Sequence, residues 1–315
     1  MRPELDNQVI YYICLCLSCS SVLGCLLNIF GFILFKNLRN FTFEMIFYSS
    51  ISSFISKLSY VINFIPWYKK DYNNSLCQAQ GFLIIWFENS ESIWSSIIAY
   101  TMYERVSRLE TEESKIPYKK RLLYLLLGYC VPLLLALISF FFDLIGRSFL
   151  WCYIESQGTN LNIRNKTALI LFYTFMWTLF FISLSFILKV VKFLNNLYIN
   201  KSDKEMINRF TSRLKLFPLV QVICLVPVTI SRCIQLFGFE TNSIFDYFIM
   251  VILCSQGIFY GIIYCQNPIV KDNIKGYFKG LFCSKRKISE ALISNASVSE
   301  NFNQANKKEG DFHSI

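Results

Sequence analysis

The chain has 315 residues, 54% of them hydrophobic, and a formal net charge of +10. A soluble domain is also about half apolar, so the distribution decides more than the fraction. Here the apolar residues form long runs while Lys and Arg gather in the links between them, which excludes a nucleic-acid docking face and marks a multi-pass membrane protein.

In chain order the runs fall at 9–35, 43–66, 77–103, 122–142, 167–195, 214–237 and 244–266. Each is long enough for a bilayer core of about 30 Å at a rise of about 1.5 Å per residue. Backbone amides in lipid find no water, so runs of this length are expected to be helices. The fold class expected is therefore all-α, a seven-transmembrane helix bundle. The mixed-charge start Met1-Arg2-Pro3-Glu4-Leu5-Asp6 is unlike a cleavable signal, and the first run is expected to serve as an uncleaved anchor.

With the N-terminus outside, 23 Lys and Arg fall on the inner side and six on the outer side. That asymmetry sets the N-terminus outside and the C-terminus in the cytoplasm, in the plasma membrane. Residues 1–8 then form a short outer segment and 9–266 the bundle. Residues 267–283 form an amphipathic helix along the inner surface, with Ile269, Ile274, Tyr277, Phe278 and Leu281 opposite Lys271, Lys275 and Lys279. Cys283, directly after it, is a palmitoylation candidate, with an unmodified thiol the equal alternative. Residues 284–315 are Ser-, Asn- and Lys-rich and expected to be disordered.

Of the twelve cysteines only Cys77, Cys152 and Cys283 lie at run edges or in links. Cys77 and Cys152 both face the oxidising side, so a disulfide between them is expected. Of five N-x-S/T sequons, only those at Asn73 and Asn165 lie outside and are open to glycosylation. The single histidine, His313, lies in the tail, which removes histidine-dependent zinc chemistry and Ser-His-Asp hydrolysis from the membrane region. No enzyme activity, metal or cofactor is expected. The seventh run has no lysine for a retinal Schiff base.

Apart from the charges that flank the links, four lie deep within runs: Lys57, Glu88, Glu91 and Arg232. A charge at bilayer depth costs at least about 2.5–3.5 kcal/mol, so each should face the bundle interior with a partner. Counting along the helices sets Lys57 and Glu88 at matching depths of roughly 15 Å and 16 Å. One interpretation is an outward-opening ligand cavity with Trp86 and Trp94 in its walls. The other is a Lys57–Glu88 or Lys57–Glu91 ion pair that fixes helix packing. Arg232, nearer the mouth, is expected to touch ligand, with Glu240 as its competing partner. At the opposite end Arg105, Arg108 and Arg213 belong to a basic inner surface open to anionic lipid headgroups or a cytosolic partner.

The spacing resembles the cyclic-AMP-receptor-like (class E) G-protein-coupled receptors over about residues 9–282. The resemblance rests on Trp151-Cys152-Tyr153-Ile154, Lys57, Cys77 seventeen residues before Trp94, the block from Cys224 to Arg232, and Asn267-Pro268. It implies a small extracellular ligand, anionic or nucleotide-like, and activation of a heterotrimeric G protein. Lys57 and Arg232 are the basic groups it offers an anion, whereas Glu88 and Glu91 oppose a phosphate and argue against cyclic AMP itself. Cys224-Leu225-Val226-Pro227 resembles a C-W-x-P switch with Leu for Trp, and Asn267-Pro268 resembles the start of N-P-x-x-Y. The alternative, an ion transporter or channel through Lys57, Glu88 and Glu91, needs polar groups continuing inward, yet the run from Ser92 to Tyr103 is mostly small and apolar.

Overall fold

The computed structural model describes residues 3–36, 39, 41–68, 74–108, 117–148, 151–154, 163–196, 216–237, 239, 242–267 and 270–276. Seven long helices follow one another among the described residues: α1 (Pro3–Leu34), α2 (Phe41–Tyr68), α3 (Asn74–Arg108), α4 (Tyr118–Phe141), α5 (Ile163–Asn196), α6 (Leu216–Leu236) and α7 (Ser243–Cys265). The helices outrun the apolar stretches: α1 already begins at Pro3, inside the segment read as an N-terminal tail, and α3 runs on to Arg108.

Five helices, α1 and α4 to α7, are long and apolar enough to cross a membrane. Helix α3 is rich in polar residues, and its position explains why. Helix α3 packs against α2, α4, α5 and α6, and every residue from Asn89 to Ala99 is buried. Its polar groups are spent on neighbouring helices. Ser90 and Ser52 share a 2.9 Å hydrogen bond, Ser183 donates to Ser96 at 2.9 Å, and Gln221 reaches Ser92. Inward serines of this kind hold membrane helices together where lipid supplies no hydrophobic drive. The outward faces are apolar instead: Leu23, Leu27, Leu134, Leu171 and Phe181 are all more than half exposed.

Two details set the helix spacing. Gly24 of α1 lies against α7 so closely that a Cβ there would stand 2.5 Å from the Gly257 carbonyl oxygen. In α4, Leu126–Cys130 forms a π turn just before Pro132. Proline has no N–H for the carbonyl four residues earlier, so Gly128 O loses its helical donor. Ser90 Oγ supplies one at 2.6 Å, and Trp86 Nε1 donates to Tyr129 O at 3.0 Å. The missing hydrogen bond of one helix thus becomes a clasp between two.

Between α4 and α5 the chain forms an antiparallel hairpin, β1 (Ile145–Ser148) and β2 (Trp151–Ile154), with Ile145 opposite Ile154 and Ser148 opposite Trp151. This departs from the expected all-α chain in one short link. All four β2 side chains are buried. A disulfide joins Cys152 to Cys77 near the start of α3, with a Cα–Cα distance of 5.2 Å. Gln80 adds a second tie: its Nε2 donates to Ser59 O at 3.0 Å and its Oε1 accepts the Cys152 N–H at 2.9 Å.

The chain divides into two compact units, Met1–Gln266 and Asn267–Ile315. In the second, residues 270–276 are helical, and the Lys271 N–H bonds Asn267 O at 2.8 Å. The rest of the expected amphipathic helix, with Cys283 and the tail, lies outside the described residues.

Candidate functional site

Beneath the hairpin the bundle holds a cavity of about 60 Å³. Glu88, Glu91 and Ser92 of α3 form one wall. The hairpin contributes Trp151 and Tyr153, α5 contributes Phe172 and Tyr173, and Arg232 of α6 and Gln256 of α7 complete the ring. Trp151 meets Tyr60 edge to face at 5.1 Å and Tyr153 meets Phe172 at 5.5 Å, so the rings brace one another around the space. Burial pushes the Tyr153 hydroxyl well above its ordinary range, and it stays neutral at physiological pH.

The charges expected at depth do converge, but no Lys57 ion pair with either glutamate forms among the described residues. A neutral amide stands between them instead. Lys57 Nζ donates to Gln256 Oε1 at 2.9 Å, and Gln256 Nε2 donates to Glu91 Oε1 at 2.5 Å and to Tyr260 OH at 3.2 Å. An amide carries both a donor and an acceptor, so it can face a cation and a carboxylate at once. Glu88 takes a different partner, the Tyr60 hydroxyl, at 2.6 Å. Lys57 also lies 5.3 Å from the Tyr60 ring centroid. It is fully buried and forms no part of the cavity lining, so the basic group offered to an anion is spent inside the bundle.

Two aromatic assignments change. Trp94 is fully buried away from the cavity, stacked on Tyr48 at 5.1 Å and set against Gly128, where a Cβ would lie 2.5 Å from its indole. Trp86 turns toward α4, bonded to Tyr129 O. Neither lines the cavity. Arg232 does line it, donating to Gln235 Oε1 at 2.7 Å with Tyr173 beside it. Glu240, its expected competitor, lies outside the described residues. Tyr60, Gln256 and Tyr173 were not singled out from sequence, and Tyr153 only as part of the Trp151-Cys152-Tyr153-Ile154 stretch. The aromatic Trp-Cys-Tyr stretch and a lone glutamine in an apolar run were the signals available.

At the opposite end of α3, Glu104 pairs with Arg108 at 2.9 Å and with Lys120, while Glu44 pairs with Arg121 at 2.8 Å. Arg105, expected on a basic docking surface, is instead buried, its guanidinium 5.4 Å from the Phe41 ring centroid. Arg108 is exposed. Pro227 sits within α6, three residues after buried Cys224. Asn267 lies just beyond α7, and Asn165 falls within α5. Asn73, Arg213 and Pro268 lie outside the described residues. No group of His, Cys, Asp and Glu suited to a metal occurs among the described residues.

The fold is similar to the crystal structure of squid rhodopsin, with a TM-score of 0.71 over 89% of this chain and 87% of that one, at 12% identity. Cyclic AMP receptor-like protein A of Dictyostelium discoideum is 23% identical over 314 residues, 98% of this chain and 78% of that protein. The family described as slime mold cyclic AMP receptor matches residues 1–306, and the chain belongs to that family: it is a multi-pass membrane receptor with a G-protein-coupled-receptor fold, not an enzyme.

Proposed function

We propose that this receptor takes a small extracellular ligand into the hairpin-end cavity and activates a heterotrimeric G protein at the opposite end. All seven helices cross the plasma membrane in this reading, with the N-terminus outside and the C-terminus in the cytoplasm. Asn73 and Asn165 then lie on the glycosylated side, and Cys283 lies on the side where palmitoylation occurs. Residues 267–283 form the surface helix and 284–315 the tail. Pro227, Asn267 and Pro268 serve as the flexible points, and Arg108 and Arg213 meet the G protein.

One observation carries the reading: the polar cavity is one-sided. Its charged residues cluster under the hairpin. Farther along α3, buried Trp94, Ile98 and Met102 fill much of the interior, and the buried Ser96 and Thr101 hydroxyls bond carbonyls of their own helix. An ion path through Lys57, Glu88 and Glu91 would need polar groups continuing past those side chains. A ligand cavity needs only to be reached from one side.

The test is guanine-nucleotide exchange on purified heterotrimeric G proteins by the receptor in nanodiscs, with a panel of small anions, cyclic nucleotides and amines. Exchange raised by one member, and altered by Glu88→Gln or Arg232→Ala at intact surface expression, is the expected result. Ligand-gated ion flux without exchange would overturn the receptor reading in favour of a transporter or channel.

A further inference from the structure

The chemistry of the cavity wall indicates which charge its ligand carries. Two carboxylates, Glu88 and Glu91, line the space, and one lysine, Lys57, answers them from behind. Lys57 reaches Glu91 only through Gln256, and it is fully buried. Among the described residues neither carboxylate touches a cation directly, and Arg232, the second cation of the group, lies on the α6 side and bonds Gln235. Glu91 is 2% exposed, and its second oxygen has no hydrogen-bond partner although Ser53 and Tyr260 stand nearby. Glu88 accepts one hydrogen bond, from Tyr60, while an ionised carboxylate has room for about four.

The surroundings are aromatic: Tyr60, Trp151, Tyr153, Phe172 and Tyr173 border the same space. Aromatic faces attract cations, and desolvation strengthens that attraction. Carboxylates with spare acceptor capacity inside an aromatic ring wall match an ammonium group, whereas a phosphate would meet two like charges. Arg232, on the α6 side, repels a cation and so directs it toward the α3 wall.

We infer that the cavity binds a small organic ammonium ion, its nitrogen held by Glu88 and Glu91 among the aromatic rings. The assignment rests on the reading of this cavity as the ligand site of a receptor. It sets the ligand of this chain apart in charge from a cyclic nucleotide. The ammonium supplies the direct cationic partner that Glu88 and Glu91 lack, and its apolar body occupies the space under Trp151 and Tyr153.

The experiment measures saturable binding to the purified full-length receptor in nanodiscs, using thermal stabilisation and calorimetry. The probes are phenethylamine, its uncharged isostere propylbenzene, tetramethylammonium, inorganic phosphate and cyclic AMP. Phenethylamine should bind at least about tenfold more tightly than propylbenzene in the unaltered protein, a difference that needs no variant to fold. Glu88→Gln should weaken phenethylamine about tenfold and leave propylbenzene unchanged. Equal affinity for amine and isostere, tighter binding of phosphate or cyclic AMP, or no saturable binding of either cation would overturn the inference. Parallel nucleotide-exchange assays separate the two proposals. Amine binding without exchange on any G protein keeps the charge assignment and removes the coupling, whereas exchange driven by an anion does the reverse.

Discussion

The two ends of the bundle handle charge in opposite ways. At the end away from the hairpin, carboxylates meet cations directly: Glu44 with Arg121 at 2.8 Å and Glu104 with Arg108 at 2.9 Å. The Arg121 and Arg108 side chains there are 43% and 60% exposed. Beneath the hairpin, Lys57 and Glu91 are separated by an amide although both are buried. Where water reaches, a pair can be loose because solvent covers its unused donors and acceptors, and the pair contributes little. Where water does not reach, each donor and acceptor needs a protein partner, and a bridging glutamine gives one to Lys57 and to one oxygen of Glu91 while tying α2, α3 and α7 together. The interior arrangement is thus specific and costly to break.

The comparison breaks most visibly at Lys57. Replacing it with Met removes the cation that Gln256 links to buried Glu91, a loss expected at about 3–5 kcal/mol of stability by the measure of a broken buried pair. Thermal unfolding in detergent reads it. Adding Glu91→Gln to the same chain should recover a large part of the loss. A Lys57→Met receptor as stable as the parent would mean that the group is neutral already and that the amide bridge joins no charges.

The next effect belongs to the hairpin. Cys77→Ser should lower stability by about 2–5 kcal/mol, the range for losing a native disulfide. Reducing agent applied to the parent protein should reproduce the shift in melting temperature. Gln80 should keep the hairpin partly seated, since it holds both Ser59 O and the Cys152 N–H. Cys77→Ser combined with Gln80→Leu should therefore lose more than the two changes apart. Smaller again is Gly257→Val in α7. A Cβ there would lie 2.7 Å from the Ser21 carbonyl oxygen, so helices α1 and α7 must part, at an overpacking cost of about 1–3 kcal/mol. A neutral result would show that α1 can slide, which the exposed end tolerates but the core should not.

Much of this was legible in the sequence, and the gaps have physical causes. The apolar runs located the long helices, and matched depths brought Lys57 toward Glu88 and Glu91. Depth alone does not give facing. Successive helical residues turn by about 100°, so Trp86, two residues before Glu88, lies about 160° around α3 from it. Attention to that phase would have moved Trp86 off the cavity wall. Trp94, three residues after Glu91, is only about 60° from it, and depth rather than phase takes it out of the cavity. Gln256 left almost no trace, because one neutral amide in an apolar run carries no charge or period to notice. The hairpin was hidden by its shortness, since four residues per strand give only two alternations. Pro132 carried a signal that was passed over: a proline within a span frees a carbonyl, and Ser90 of α3 is what meets it.

The smallest effect sharpens the comparison from the other side. Glu44 holds two groups, the Arg121 guanidinium at 2.8 Å and the Tyr48 hydroxyl at 3.1 Å. Glu44→Gln removes the charge but keeps an oxygen that can still accept from Tyr48, so the change isolates the ion pair. The expected loss is at most about 1 kcal/mol, because Arg121 is 43% exposed and water can take the place of the carboxylate. Salt should narrow the gap between parent and variant, since the screening length shortens from about 10 Å at 0.1 M to about 3 Å at 1 M. The same salt series applied to Lys57→Met should leave its larger loss unchanged, because mobile ions do not enter a buried site. Melting curves of both variants across that series measure the contrast directly. A Glu44→Gln loss as large as that of Lys57→Met, and as indifferent to salt, would mean that this end is closed to water and that the two ends differ in partner geometry alone.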